Sequence, residues 1–339
     1  MVPPLKVMWE VNLRSAVYSS PVIRDGRIYV ATERGELTCL SAAGNAIWTA
    51  GLQGKIYAST PCVGEAAVYI GAVRGRGLKT GAVYALQTAD GKAIWTFTPP
   101  GDVYSSPLIV DSLLVVGCDD GNVYGLNRDD GTVAWKFRTQ GKVHDNAAAT
   151  DGTRIFIGSY DGFMYALSAK NGKEIWRFRT RKRLNTAAAL ADGRVFFGAE
   201  DGRLYSLSAD DAALEWFFEA GAAIVATPVV SSDRIFVGSS DGTVRALTRQ
   251  GKLVWSFKAG RHLVSSPVLA GRHLYTGSID TLGVLDQSLY ALDAQTGSVV
   301  WERELKGPLF ASPAVGGGLM IVATRKGYVF AFRGRAGKE

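Results

Sequence analysis

Short runs of alternating apolar and polar residues fill the chain, with glycine- and aspartate-rich breaks between them. A period of two marks a half-buried strand, and Asp-Gly between two such runs marks a hairpin, because glycine takes positive φ without steric cost. The stretch 107–137 illustrates the reading. Pro107–Val110, Leu113–Gly117, Asn122–Leu126 and Val133–Phe137 are predicted strands, separated by turns at Asp111, Asp120-Gly121 and Asp129-Asp130-Gly131. No segment sustains a 3.6-residue period, so essentially no helix is predicted.

The four-strand pattern recurs. The eight tryptophans, Trp9, Trp48, Trp95, Trp135, Trp176, Trp216, Trp255 and Trp301, are spaced 39 to 47 residues apart. A second ladder, Pro21, Pro61, Pro107, Pro228, Pro267 and Pro313, keeps the same phase, with Ala148 and Ala188 at its two missing steps. A strand-built repeat near 40 residues points to a propeller. After Trp301 the pattern supplies only three strands, near 313–315, 319–323 and 328–332, while an orphan strand at 7–11 precedes Pro21. Closing the ring removes an exposed sheet edge. The expected fold is therefore all-β: one domain over 1–339, an eight-bladed β-propeller of four-stranded antiparallel blades, closed by the N-terminal strand joining the C-terminal blade.

Composition adds limits. Hydrophobic residues make up 47% of the 339 and charged residues 20%, enough to fill a core. No apolar run approaches the ~18 residues of a membrane helix, so direct membrane insertion is not expected. Cys39, Cys62 and Cys118 form neither a metal-ligand spacing nor an even disulfide framework. The net charge of +7 permits an acidic partner without requiring one. The start, Met1 to Lys6, lacks a signal-peptide layout. A native Met1 would imply the cytoplasm; a leader removed ahead of it would imply the periplasm.

The residues before each tryptophan carry a family resemblance. Ala291–Trp301 resembles the tryptophan-docking repeat of the pyrroloquinoline-quinone (PQQ) propeller superfamily, and Ala85–Trp95 and Ala166–Trp176 are close variants. Blade five departs, with Ala212 where the turn glycine belongs, and blade six is one residue shorter there. The resemblance spans nearly the whole chain and implies that each tryptophan docks on the neighbouring blade. Its relatives include quinoprotein dehydrogenases and the non-enzymatic BamB-like propellers of the bacterial outer-membrane assembly complex, which are similar in size to this chain.

A quinoprotein site, as that resemblance implies it, clamps its cofactor between an adjacent cysteine pair and a tryptophan, over a calcium ion. Here the cysteines are far apart, all tryptophans belong to the ladder, and no calcium set can be placed. No catalytic residue, metal ligand or cofactor is therefore assigned. The histidines are His144, His262 and His273. His144 and Asp145 are neighbours in sequence, a poor arrangement for a base and its orienting carboxylate. Asp120, Asp161, Asp201 and Asp241 recur at one turn and read as hairpin aspartates.

In a repeat protein, function is best sought where units differ. Six units place a hydroxyl before the proline: Ser20, Thr60, Ser106, Thr227, Ser266 and Ser312. Blades four and five carry Ala147 and Ala187 instead, preceded by Lys142, His144, Asp145 and Asn146 in one and Arg181, Lys182, Arg183 and Asn185 in the other. These connections lead into the inner strands and are expected to rim the channel. His144, Asp145, Asn146, Arg181, Arg183 and Asn185 form the candidate binding site, a recess suited to a carboxylate, a phosphate or an acidic side chain. Insertions at Val73–Thr80 and Ile279–Gln287 are expected on the same face, the second with Leu282, Val284 and Leu285. The recurring turn aspartates face Lys326, Arg34, Arg74 and Arg76 on the other half of the rim, a split sign that suits orienting a polar partner. Nucleic acid is not expected, since one continuous basic stripe and stacking aromatics are missing from these loops.

The sequence thus reads as a monomeric, non-enzymatic scaffold for a protein partner. A small-ligand or quinone-binding propeller (a degenerate quinoprotein) and a structural or engineered propeller without ligand are the alternatives.

Overall fold

Residues 1–74, 80–145, 147–263, 265–278 and 287–334 are described by the structure, a computed structural model. They form eight four-stranded antiparallel sheets and no helix. The sheets are the blades of an eight-bladed propeller. Among the described residues no helix is long and apolar enough to cross a membrane. Blade three comprises Leu108–Val110, Leu113–Gly117, Asn122–Asn127 and Val133–Arg138, within one residue of the sequence reading at each boundary. Its two middle strands are buried along most of their length, because neighbouring blades cover both faces of the sheet. The outer strand alternates, with Trp135 buried and Val133, Ala134 and Lys136 exposed.

The ring closes as the ends of the sequence imply. Lys6–Asn12 pairs antiparallel with Tyr328–Arg333, which continues through Leu319–Ala323 to Ala314–Gly316. Val7 faces Phe332 and Val11 faces Val329 in this register. Two chain ends therefore share one blade, and the N-terminal strand covers the edge of Tyr328–Arg333 that would otherwise be exposed.

Seven tryptophans join successive blades by the same contact. The indole Nε1 of Trp9, Trp48, Trp95, Trp135, Trp176, Trp216 and Trp255 donates to the backbone carbonyl of Ala42, Thr88, Arg128, Ala169, Ala209, Arg249 and Ala294, at 2.8 to 3.2 Å. Each ring lies under the turn between the third and fourth strands of the next blade. Gly172 shows why that turn wants glycine: its φ is +67°, and a Cβ there would run into the Trp135 ring. Ala212 occupies the equivalent place over Trp176 with φ +61°, a left-handed conformation that a Cβ disfavours. Trp301 has no such turn to sit under, because the third and fourth strands of its neighbour come from opposite ends of the chain. It packs edge-on against Phe332 instead, with ring centroids 5.8 Å apart.

Candidate functional site

The residue before each inner strand builds a belt around the channel. Each backbone N–H donates to the hydroxyl of the next blade: Thr227 to Ser266, Ser266 to Ser312, Ser312 to Ser20, Ser20 to Thr60, and Thr60 to Ser106, at 2.9 to 3.3 Å. Six hydroxyl-bearing residues are thus joined by five bonds across the blade boundaries. The series stops at Ser106, because the next two positions are Ala147 and Ala187 and offer no oxygen. The two alanines singled out in the sequence are the gap in this belt.

A cavity of about 600 Å³ opens over the belt, and all eight blades contribute to its wall. One side is aromatic. Phe310 and Tyr18 meet edge to face at 5.6 Å, Tyr18 and Tyr57 at 5.7 Å, Tyr57 and Tyr104 stack at 6.1 Å, and Tyr104 tilts onto His144 at 4.0 Å. The side above the alanine gap is polar, with His144, Asp145, Asn185 and Thr186. This corrects the sequence reading that these loops lack interleaved aromatics. They were missed because the rings stand one per blade, far apart in sequence. Tyr18, Tyr104 and Phe310 each lie two residues before the belt hydroxyl, and Tyr57 lies three before, so comparing that offset across units would have revealed them.

The polar side is one network. His144 Nδ1 lies 2.5 Å from Oδ1 of Asp119, and Lys142 Nζ donates to the other oxygen of Asp119 at 2.8 Å. His144 Nε2 is 3.6 Å from Asp145, which also takes a hydrogen bond from Asn185. The Asn185 Oδ1 accepts from the Tyr160 hydroxyl at 3.3 Å. The imidazole therefore sits between two carboxylates. The carboxylate that orients His144 is not its sequence neighbour Asp145 but Asp119, brought over from the turn between the second and third strands of blade three. Only the fold makes residues 119 and 144 adjacent.

The carboxyl groups respond differently to this setting. Burial acts to raise Asp119, but hydrogen bonds and charge from His144 and Lys142 outweigh it and hold the group below its ordinary range. Burial raises Asp145, and the nearby Asp119 charge adds to the effect, while His144 and Asn185 only partly offset it. Asp102 is likewise raised by burial and by Asp119, and its Oδ1 is buried without a hydrogen-bond partner. Burial, with Asp102 and Asp119 nearby, pushes the Tyr104 hydroxyl up to about 12, so it remains a donor at neutral pH.

The fold thus brings three of the six candidate residues together on the cavity wall: His144, Asp145 and Asn185. Arg183 is beside it, paired with Glu200 at 2.6 Å and lying over the Tyr160 ring at 4.8 Å. Arg181 is exposed and outside the lining, its backbone N–H donating to Asp201. Asn146 falls outside the described residues. Among the described residues no lysine or arginine lines the cavity. A recess of converging cationic donors for an anion is therefore not what these residues build; the carboxylate on the lining is that of Asp145.

The recurring aspartates are turn residues, as read. Asp120, Asp161 and Asp201 each accept the backbone N–H two residues on and a tyrosine hydroxyl four residues on, from Tyr124, Tyr165 and Tyr205. Asp241 accepts from Thr243 N–H and pairs with Arg245 at 3.0 Å. These carboxylates are satisfied within their own hairpins, so the acidic half of the rim is largely engaged internally. Arg76 and residues 279–286, with Leu282, Val284 and Leu285, lie outside the described residues. No group of three or more His, Cys, Asp or Glu suited to a metal ion occurs among the described residues.

Comparison with known proteins agrees with this architecture. A family model described as outer membrane protein assembly factor BamB matches residues 6–79 and 240–339, just over half of the chain. A model described as the β-propeller of beta-alanine-activating enzyme matches residues 77–283. The chain belongs to the PQQ-like β-propeller family and is related to BamB. Among solved structures it is similar to BamB from Moraxella catarrhalis, at 18% identity and TM-score 0.83, covering 99% of this chain and 100% of that one. It is similar also to quinohemoprotein alcohol dehydrogenase from Comamonas testosteroni, at 14% identity and TM-score 0.82, covering 99% of this chain and 77% of the enzyme. The computationally designed Ika8 protein is a third, at 14% identity and TM-score 0.80, covering 95% and 97%. No curated protein matches the sequence.

Proposed function

We propose that the chain is a non-enzymatic scaffold of the outer-membrane assembly factor type, which docks a protein partner on the face holding the channel mouth. The observation that carries this reading is the central cavity, open on that face and shaped by the two blades that lose the belt hydroxyl. An interaction site at a propeller's centre can be reached by a side chain or loop from a larger protein, and the surrounding loops supply a polar rim. The family model named for the assembly factor, matching both ends of the chain, supports the same reading. The tryptophans support it too. Seven are engaged between blades through their Nε1, and the cavity wall is tyrosine, phenylalanine and histidine rather than a tryptophan placed to stack on a quinone.

Photo-crosslinking tests it. A crosslinking amino acid placed at Arg34, Arg181 or Lys326, on the channel-mouth face, should capture the same partner from the source organism. The same group at Lys170 or Gln250, on the opposite face, should not. Equal capture from both faces would end the docking proposal. The small-ligand reading rests on the same cavity and predicts that PQQ with calcium shifts the melting temperature and the absorbance spectrum.

A further inference from the structure

We propose that the channel mouth binds a cationic nitrogen, an ammonium or guanidinium group, seated between the aromatic arc and the Asp145 carboxylate. This deepens the scaffold reading and rests on it, since the expected source of the cation is a lysine or arginine side chain of the docked partner. Four observations carry it.

The first is charge. Asp145 lines the cavity, and among the described residues no lysine or arginine reaches it within ion-pair distance; the nearest basic side chain is the His144 imidazole, at 3.6 Å. Asp119, in contrast, already holds Lys142 and His144. Burial disfavours ionised Asp145, so a cation that enters the mouth meets a carboxylate poorly compensated by the protein itself. The second is the aromatic wall. Tyrosine and phenylalanine faces attract cations through the ring quadrupole, more strongly where water is partly excluded.

The third observation is that the rings of the same arc already attract the protein's own cations. Arg325 lies 5.5 Å from the Tyr18 ring and 5.6 Å from Phe310, and Lys55 lies 5.7 Å from Tyr57. Neither Arg325 nor Lys55 is on the cavity wall, which holds no lysine or arginine among the described residues. The fourth is space. Ala147 and Ala187 withhold the two side chains that would otherwise close the belt beneath Asp145, leaving room for a small charged head group.

The experiment uses the full chain and four probes of defined chemistry: tetramethylammonium, N-acetyl-lysine methylamide, the uncharged N-acetyl-norleucine methylamide, and acetate. Binding is followed by NMR titration. The two cations should bind saturably, and the neutral isostere and the anion should not. Asp145→Asn should weaken cation binding by about tenfold or more, the order expected for a charge-assisted contact, while Arg181→Ala leaves it unchanged. Should Asp145→Asn fail to fold, Tyr57→Leu takes its place, with a loss of severalfold expected from the missing ring face.

A peptide bearing one lysine that binds more tightly than the lysine derivative assigns the cation to a protein partner. Equal or tighter binding of the free amine assigns it to a small molecule. Cation binding that survives both Asp145→Asn and Tyr57→Leu, or preferential acetate binding, overturns the inference. Failure here with face-specific crosslinking intact removes the cation site and leaves the scaffold. Loss of face-specific crosslinking with cation binding intact does the reverse.

Discussion

Asp119 and His144 meet 2.5 Å apart across the boundary between blades three and four, although 25 residues separate them in sequence. The pair fixes the imidazole at the rim of the cavity and leaves its other nitrogen toward Asp145. The Asp119 side chain is almost wholly buried, so removing its charge takes the carboxylate partner from the largely buried His144 and a surface ion pair from Lys142. Asp119→Asn should lower stability at pH 7 by about 1–3 kcal/mol. Because the folded protein holds this carboxyl below its ordinary range, its contribution is present above that range and is lost as pH falls through the folded value. The gap between wild type and variant, measured by thermal melts, should shrink on acidification.

Asp145 carries the opposite sign. Its folded value is raised, so the folded state keeps the proton to higher pH than the unfolded chain does. Ionisation then costs stability as pH rises, and the cost is complete above the raised value. Asp145→Asn should melt higher than wild type at pH 7 and equal to it well below the ordinary carboxylate range. A lower melting temperature at pH 7 would contradict the view that this carboxylate is poorly compensated.

The tryptophans should not be equivalent. Trp135 is buried, donates to Ala169 and lies under Gly172, so Trp135→Ala should cost about 3–5 kcal/mol in urea unfolding. Trp301 is only partly buried and faces a blade without the covering turn, so Trp301→Ala should cost clearly less. Removing residues 1–12 should do more damage than either substitution. It takes away the fourth strand of the last blade, exposes the edge of Tyr328–Arg333 and deletes Trp9. Aggregation on size-exclusion chromatography and a much lower melting temperature are the expected results.

Much of this was legible in the sequence because each feature is local. Alternation and Asp-Gly turns are written within single repeats, and the tryptophan spacing, the two alanines and the unpaired strands at the chain ends emerge from laying the repeats in one phase. The contents of the mouth were less legible because they are assembled from all eight repeats. Asp119 belongs to a turn that reads as an ordinary hairpin until the connection carrying His144 is laid beside it. The aromatic arc is a column through the repeats rather than a run along the chain. The charge of the recess was misjudged for the same reason: Arg181 and Arg183 are close to Asn185 in sequence, yet one stands outside the lining and the other is held by Glu200.

Ala212 offers a direct gain. It holds φ +61° where the equivalent turns of other blades use glycine. Ala212→Gly relieves the left-handed strain at the cost of a more flexible unfolded chain, for a net stabilisation of roughly 0.5–1 kcal/mol. The change is far from the cavity, so chemical unfolding should register it while ligand titrations do not.

The belt gap allows stability and binding to be set against each other. If Ala147 and Ala187 are vacancies in a structural ring, hydroxyls put back there should complete it. Ala147→Ser would offer an acceptor to the Ser106 N–H, and Ala187→Ser would offer one to Ala147, extending the series that already runs from Thr227 to Ser106. Each restored bond is worth about 0.5–1.5 kcal/mol. The double variant should therefore unfold at higher urea concentration than wild type. The same hydroxyls occupy room beneath Asp145, so affinity for the cationic probes should fall. Higher stability with weaker binding is the signature of a site made by opening the ring. Lower stability would mean that the alanines are packed as they stand, and that the cavity owes its shape to the rim residues above them.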